Sequence, residues 1–139
     1  MPLWHIYHPK QAYTAEDRKA FAGKITDMYA TFLPRFYVGV LFHEIPESSF
    51  YVGGEPTGDF VRIVIEHIAR RTSDAESQKR LHKALAKVVE PFIEARGLRW
   101  ELHIDETPME LWTVNGLVPP PANSDAEGRW REENKPSPY

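Results

Sequence analysis

The sequence predicts an α/β domain in which a strand–helix–strand unit occurs twice, giving a four-stranded sheet with two helices on one face. Three observations carry that prediction. Short runs rich in Val, Ile and aromatic residues alternate with two stretches whose apolar residues recur at helical spacing. Pro and Gly stand at the joints between them. The chain has 139 residues, 42% hydrophobic and 27% charged, which suits a soluble domain with one core.

The elements follow in order. Leu3 to His8 reads as a strand stopped by Pro9. Thr14 is expected to cap a helix, with Asp17 completing an approximate capping box. Phe21, Ile25, Met28 and Phe32 fall on one helical face, and Pro34 ends it. Tyr37 to Ile45 reads as a second strand, apolar enough for burial on both faces. Residues 46–59 read as loop, in which Phe50 to Val52 pairs briefly before a Gly53-Gly54 turn. Phe60 to Ile68 is the third strand. Ser73, with Glu76 at the box position, is expected to cap a second helix whose stripe is Leu81, Leu85, Val88, Val89 and Phe92. Pro91 should shorten this helix and Gly97 close it. Arg99 to Asp105 is the fourth strand, with Trp100, Leu102 and Ile104 on one face.

Residues 1–118 hold this repeated unit and residues 119–139 a Pro-rich C-terminal arm. Pro108 to Asn115 is expected to form one short helix around Trp112. Beyond it Pro119, Pro120, Pro121, Pro136 and Pro138 predict an extended segment, partly docked through Trp130 and Tyr139. The sheet face turned away from the helices has no cover within such a chain, so an oligomer is expected.

Composition removes several functions. A net charge of −3 and a pI near 6.1 lack the basic footprint of a nucleic-acid binder. With no Cys there is no disulfide, thiol nucleophile or thiolate zinc site. No apolar run reaches the roughly 18 residues of a membrane helix, and the start MPLWHIYHPK lacks a signal-peptide pattern, so a cytoplasmic location is expected. Cofactor and metal motifs are also missing. Gly53-Gly54 lacks the Lys-Ser/Thr of a phosphate loop, and Glu66 and His67 point to opposite strand faces without an HExxH pattern. No cofactor and no metal are expected.

Pro2 is the residue with chemistry to offer. Removal of Met1 leaves a secondary amine at the start of the first strand. Burial and neighbouring cations tune such an amine to take a proton from the carbon beside a carbonyl and return it elsewhere.

With Pro2, the motifs KITD at 24–27, VGGEPTGD at 52–59, Ile68-Ala69-Arg70-Arg71, DETP at 105–108 and Asn115-Gly116 occur in the order and spacing of one family. The chain resembles the tautomerase superfamily, and within it the cis-3-chloroacrylic acid dehalogenase branch, from Pro2 to about Pro121. The resemblance implies a trimer and a catalytic Pro2. It also implies that Arg70, seconded by the adjacent Arg71, binds a substrate carboxylate. The branch's helix-one histidine position falls on Tyr29 and its last-strand tyrosine position on His103, which makes both candidate proton donors. The position of its second arginine falls on Thr72 or Ser73. Its water-activating glutamate position falls on Val114, which cannot act as a base. The implied activity is therefore cofactor-independent tautomerisation of a small 2-oxo or enol carboxylic acid. A weak dehalogenase or hydratase, or a ligand-binding member that has lost catalysis, are the alternatives.

Overall fold

The computed structural model describes residues 1–68 and 70–139. In chain order the elements are β1 (Pro2–Pro9), α1 (Ala15–Ala30), β2 (Gly39–Ile45), a small hairpin of β3 (Tyr51–Val52) and β4 (Glu55–Pro56), β5 (Phe60–His67), α2 (Ala75–Val89), β6 (Arg99–Glu106) and α3 (Asp125–Glu133). The main sheet has the order β2-β1-β5-β6. β1 pairs in parallel with β2 and β5 in parallel with β6, each across a helix, as the repeated unit requires. The two units join by antiparallel pairing of β1 with β5, from Pro2 opposite His67 to Tyr7 opposite Arg62.

Alternation along the strands sorts the sheet into two faces. Trp4 and Ile6 of β1 and Val61, Ile63 and Ile65 of β5 are fully buried beneath the helices. α1 contributes Phe21, Ile25 and Tyr29 to this core, and α2 contributes Leu85, Val88 and Val89. Phe21 also stacks on Phe92, with ring centroids 4.4 Å apart. The other face carries His5, Tyr7, His43 and Arg62, side chains that share rings and hydrogen bonds rather than a hydrophobic layer.

Local differences from the sequence reading have physical causes. The fully buried stripe of α1 is Phe21, Ile25 and Tyr29, with Met28 partly buried against the core, and beyond the helix end Leu33 rather than Phe32 turns inward, leaving Phe32 40% exposed. A single 3-10 turn at Arg35–Tyr37 delays β2 to Gly39, and β2 is an edge strand rather than one buried on both faces. Asp74, not Ser73, caps α2 by accepting from Ser77 N–H. Before Pro91 α2 stops at Val89 and tightens to a 3-10 turn, and Gly97 closes the segment in the left-handed conformation at φ 73°. The expected helix around Trp112 is only a 3-10 turn, Met109–Leu111. The arm is not extended throughout: residues 125–133 form α3, capped by Ser124, with Trp130 fully buried. Among the described residues no helix is long and apolar enough to cross a membrane.

The capping box at Thr14 and Asp17 does more than start α1. Both Asp17 carboxylate oxygens also accept from Arg96, at 2.8 and 3.2 Å, tying α1 to the turn that precedes β6. Arg96, then Thr14, hold the Asp17 carboxyl well below the ordinary carboxylate range. A depressed folded pKa contributes stability above the unfolded value, and that stability is lost as pH falls through the folded one. Denaturant midpoints should therefore decline below pH 4 in the wild type, with part of that decline absent in Asp17→Asn. Thr14→Ala should cost about 1 kcal/mol at pH 7.

Candidate active site

The β1–β5–β6 register sets three side chains in one row at the end of the sheet. Pro2 is opposite His67, and His67 is opposite Glu106. Pro2 shares its face with Trp4, and Glu106 shares its face with Ile104, so the row lies on the helix side. Tyr29 of α1 comes down onto it, with its hydroxyl 3.0 Å from His67 Nε2.

Burial controls the protonation states here. The N-terminal amine, carried by Met1 in this chain, is lowered to about 5, by burial first and by the Arg70 charge second. His67 is lowered as well, by burial and then by the N-terminal amine, with Glu106 acting in the opposite direction. Burial pushes Tyr29 up, against the Trp4 side chain. Near neutral pH this end of the sheet therefore holds an unprotonated amine, a neutral imidazole and a protonated phenol. The Tyr29 hydroxyl can donate to Nε2, which leaves the imidazole proton on Nδ1. That Nδ1 is buried, and a hydrogen bond with the Arg70 backbone acts on His67 in the raising direction.

Arg70 lies in the segment after β5, close enough to the N-terminal amine for its charge to lower it. One of its terminal nitrogens donates to both oxygens of Glu127, at 3.1 and 3.0 Å. Glu127 is only 5% exposed and also accepts from the Asn123 backbone N–H at 2.7 Å. It reaches this position because α3 is anchored at its far end. Trp130 packs against Phe36, Tyr37 and Tyr139, and its indole donates to the Ser137 carbonyl at 2.7 Å. Arg71 is exposed.

A cavity of about 380 Å³ opens beside the row, between α2 and β6, lined by Thr72, Gln78, Leu81, His82, Ile104 and Glu106. Among the described residues no group of three or more His, Asp or Glu side chains is placed to hold a metal ion.

Of the residues singled out by sequence, Pro2, Tyr29 and Arg70 meet at this end. His103 does not join them within one chain. It pairs with Val64, three residues short of His67, and alternation puts it on the helix-free face, where it contacts Arg62 and Asp105. Val114 forms a bridge with Leu117 around the Asn115-Gly116 turn, and the exposed Glu110 lines a separate cavity with Met109 and Tyr139. His67, Glu106 and Glu127 were missed. For His67 a signal existed, since the alternation that rules out joint metal binding with Glu66 also points it toward the helices. No local pattern links Glu127 to Arg70, 57 residues earlier.

Comparisons with known proteins agree with this architecture. A family model described as "putative oxalocrotonate tautomerase enzyme" matches residues 1–135. The crystal structure of native RhCC from Rhodococcus jostii RHA1 superposes with a TM-score of 0.96 at 46% identity, covering 99% of each chain. A probable enzyme from the thermophilic fungus Aspergillus fumigatus gives 0.93 at 38% identity, covering 100% of this chain and 98% of that one. N1, a member of the cis-3-chloroacrylic acid dehalogenase family, shares the fold with a TM-score of 0.72 at 22% identity, over 95% of this chain and 97% of its own. No curated protein sequence matches.

The anchoring of Glu127 through α3 predicts a coupled loss. Trp130→Ala should cost about 3–5 kcal/mol in denaturant unfolding. Milder conditions that release α3 should first appear as amide-exchange loss over 123–134, ahead of β1 and β5.

Proposed function

The chain belongs to this tautomerase family, and we propose that it is a cofactor-independent tautomerase in which Pro2, freed by removal of Met1, moves a proton on a small 2-oxo or enol carboxylic acid. The observation that carries this reading is the environment of the N-terminal amine. With Met1 in place, burial first and Arg70 second lower the terminal amine to about 5, and a Pro2 amine freed one residue further along would meet the same burial and the same cation, which favour a neutral base near pH 7. Pro2 abstracts the proton beside the carbonyl, and the protonated amine returns it to the other end of the enol. Arg70 binds the substrate carboxylate with its planar fork, supported by Arg71. In the tautomer with the proton on His67 Nε2, Tyr29 accepts from the imidazole and its own hydroxyl proton is free to donate to the oxygen that gains charge in the enol form. His103 enters only if a neighbouring subunit brings its helix-free face close, in the trimer we propose as the assembly. The exposed Leu41 and the stacked rings of Tyr7 and His43 on that face support such a cover.

Hydration chemistry is the weaker alternative because Val114 supplies no base. The Arg70–Glu127 pair favours a second reading, a binding protein whose guanidinium is committed to an internal carboxylate.

Intact mass is the first test, since retained Met1 leaves the Pro2 nitrogen an amide without a usable lone pair. In protein that has lost Met1, Pro2→Ala should reduce keto–enol turnover by about 100-fold or more. Arg70→Lys should raise KM with a smaller effect on kcat, having lost the fork. The rate should climb with pH as the amine loses its proton and then level off. Arg70→Gln should move that climb to higher pH, because it removes one of the two causes that lower the amine. Unchanged turnover in Pro2→Ala would sink the mechanism.

A further inference from the structure

The row Pro2–His67–Glu106 has an acidic end, and that end opens into the cavity. Ile104 and Glu106 of β6 form one side of the cavity, Gln78, Leu81 and His82 of α2 the other, and Thr72 closes the rim. The Glu106 carboxylate is held there by the Thr72 backbone N–H, which donates to Oε1 at 2.8 Å, while Gln78 is fixed by donating to the Thr72 carbonyl at 3.0 Å. Neighbouring strands lie about 4.8 Å apart, so Glu106 is two spacings, roughly 10 Å, from Pro2 across the sheet. His67 stands between them in the row, so a small acid with its reacting carbons at Pro2 reaches Glu106 with its far end only by lying past the His67 ring.

The charges of the site limit what that far end can be. Arg70 already carries one protein carboxylate, Glu127. A second carboxylate on the substrate, entering the cavity, meets Glu106 as a like charge. A hydroxyl or amine at the same position meets a carboxylate acceptor instead, and the hydrogen bond is charge-assisted. Leu81 and Ile104 accommodate the carbon chain between the two ends.

We propose that this cavity receives the distal end of the substrate and that Glu106 makes the site selective for monocarboxylic 2-oxo acids with a hydrogen-bond donor there, against dicarboxylic ones. The proposal rests on the reading that small oxo acids bind at the Pro2 row, and it adds the part of the substrate that Glu106 reads.

Three acids of equal chain length separate the contributions: 2-oxopentanoate, its 5-hydroxy derivative and 2-oxopentanedioate. Their affinities are read by NMR titration against wild type and Glu106→Gln, with deuterium exchange at C3 followed in the same samples. Gln retains an oxygen for the Thr72 N–H, and a native-like spectrum verifies the fold. In the wild type the hydroxy acid should bind at least about tenfold more tightly than the diacid. Glu106→Gln should shrink that ratio to about threefold or less, mainly by strengthening the diacid. Gln78→Glu, which adds a carboxylate to the opposite wall, should weaken the diacid further. A ratio unchanged by Glu106→Gln, a diacid that binds best to wild type, or no binding by any of the three overturns the proposal. Exchange at C3 reports on the Pro2 reading separately. Selective binding without exchange upholds the Glu106 proposal and defeats the tautomerase, whereas exchange that ignores Glu106 does the reverse.

Discussion

The antiparallel pairing of β1 with β5 is the constraint on which the rest of the structure depends. Each strand–helix–strand unit could form its own parallel pair, but neither could bring the start of the chain to the end of β5. Joined head to tail, the two units place Pro2 opposite His67. The parallel partner β6 then adds Glu106 to the same row. The N-terminus, ordinarily a solvated and frayed end, thereby becomes the first residue of a central strand beneath a helix. With Met1 just ahead of that strand, its amine is buried near Arg70 and holds a proton weakly.

The C-terminal segment finishes what the sheet begins. A largely buried guanidinium is costly without a counter-charge, and Glu127 supplies one to Arg70. Delivering a carboxylate so far in requires a rigid carrier, which is the short α3. Its capping Ser124, its anchor Trp130 and the turn at Asn134, whose side chain accepts from the Phe36 backbone N–H, hold it at both ends. The arm is thus part of the site's electrostatics. Arg70 holds its place through the same contact, so the position of its guanidinium and the position of the arm are linked.

The two sheet faces divide the labour. The helix side supplies a dry core and low-polarity surroundings for Tyr29 and His67. The other side is a layer of His5, Tyr7, His43, Arg62, Glu101 and His103, satisfied by stacking and ion pairs instead of burial. That layer explains how an uncovered sheet face is tolerated in a single chain, and it is where a neighbouring copy would meet side chains already oriented by one another.

By itself the sequence determined what depends on near neighbours along the chain. Period-two and period-3.6 patterns fixed the strands and helices, Thr14 and Asp17 the start of α1, Pro91 the end of α2, and Gly97 the left-handed turn before β6. The position of Pro2 and the order of the motifs also pointed to the tautomerase family. What only the tertiary structure decided involves residues far apart in sequence or the rotation of one element on another. Tyr29 rather than Phe32 faces the sheet because α1 packs as a rigid cylinder whose orientation the whole core sets. His103 lies away from Pro2 because one strand step changes the face. His67 and Glu106 join the row through strand register, and Glu127 reaches Arg70 through the docking of α3. Local periodicity carries none of these, since each depends on which distant surfaces bury one another.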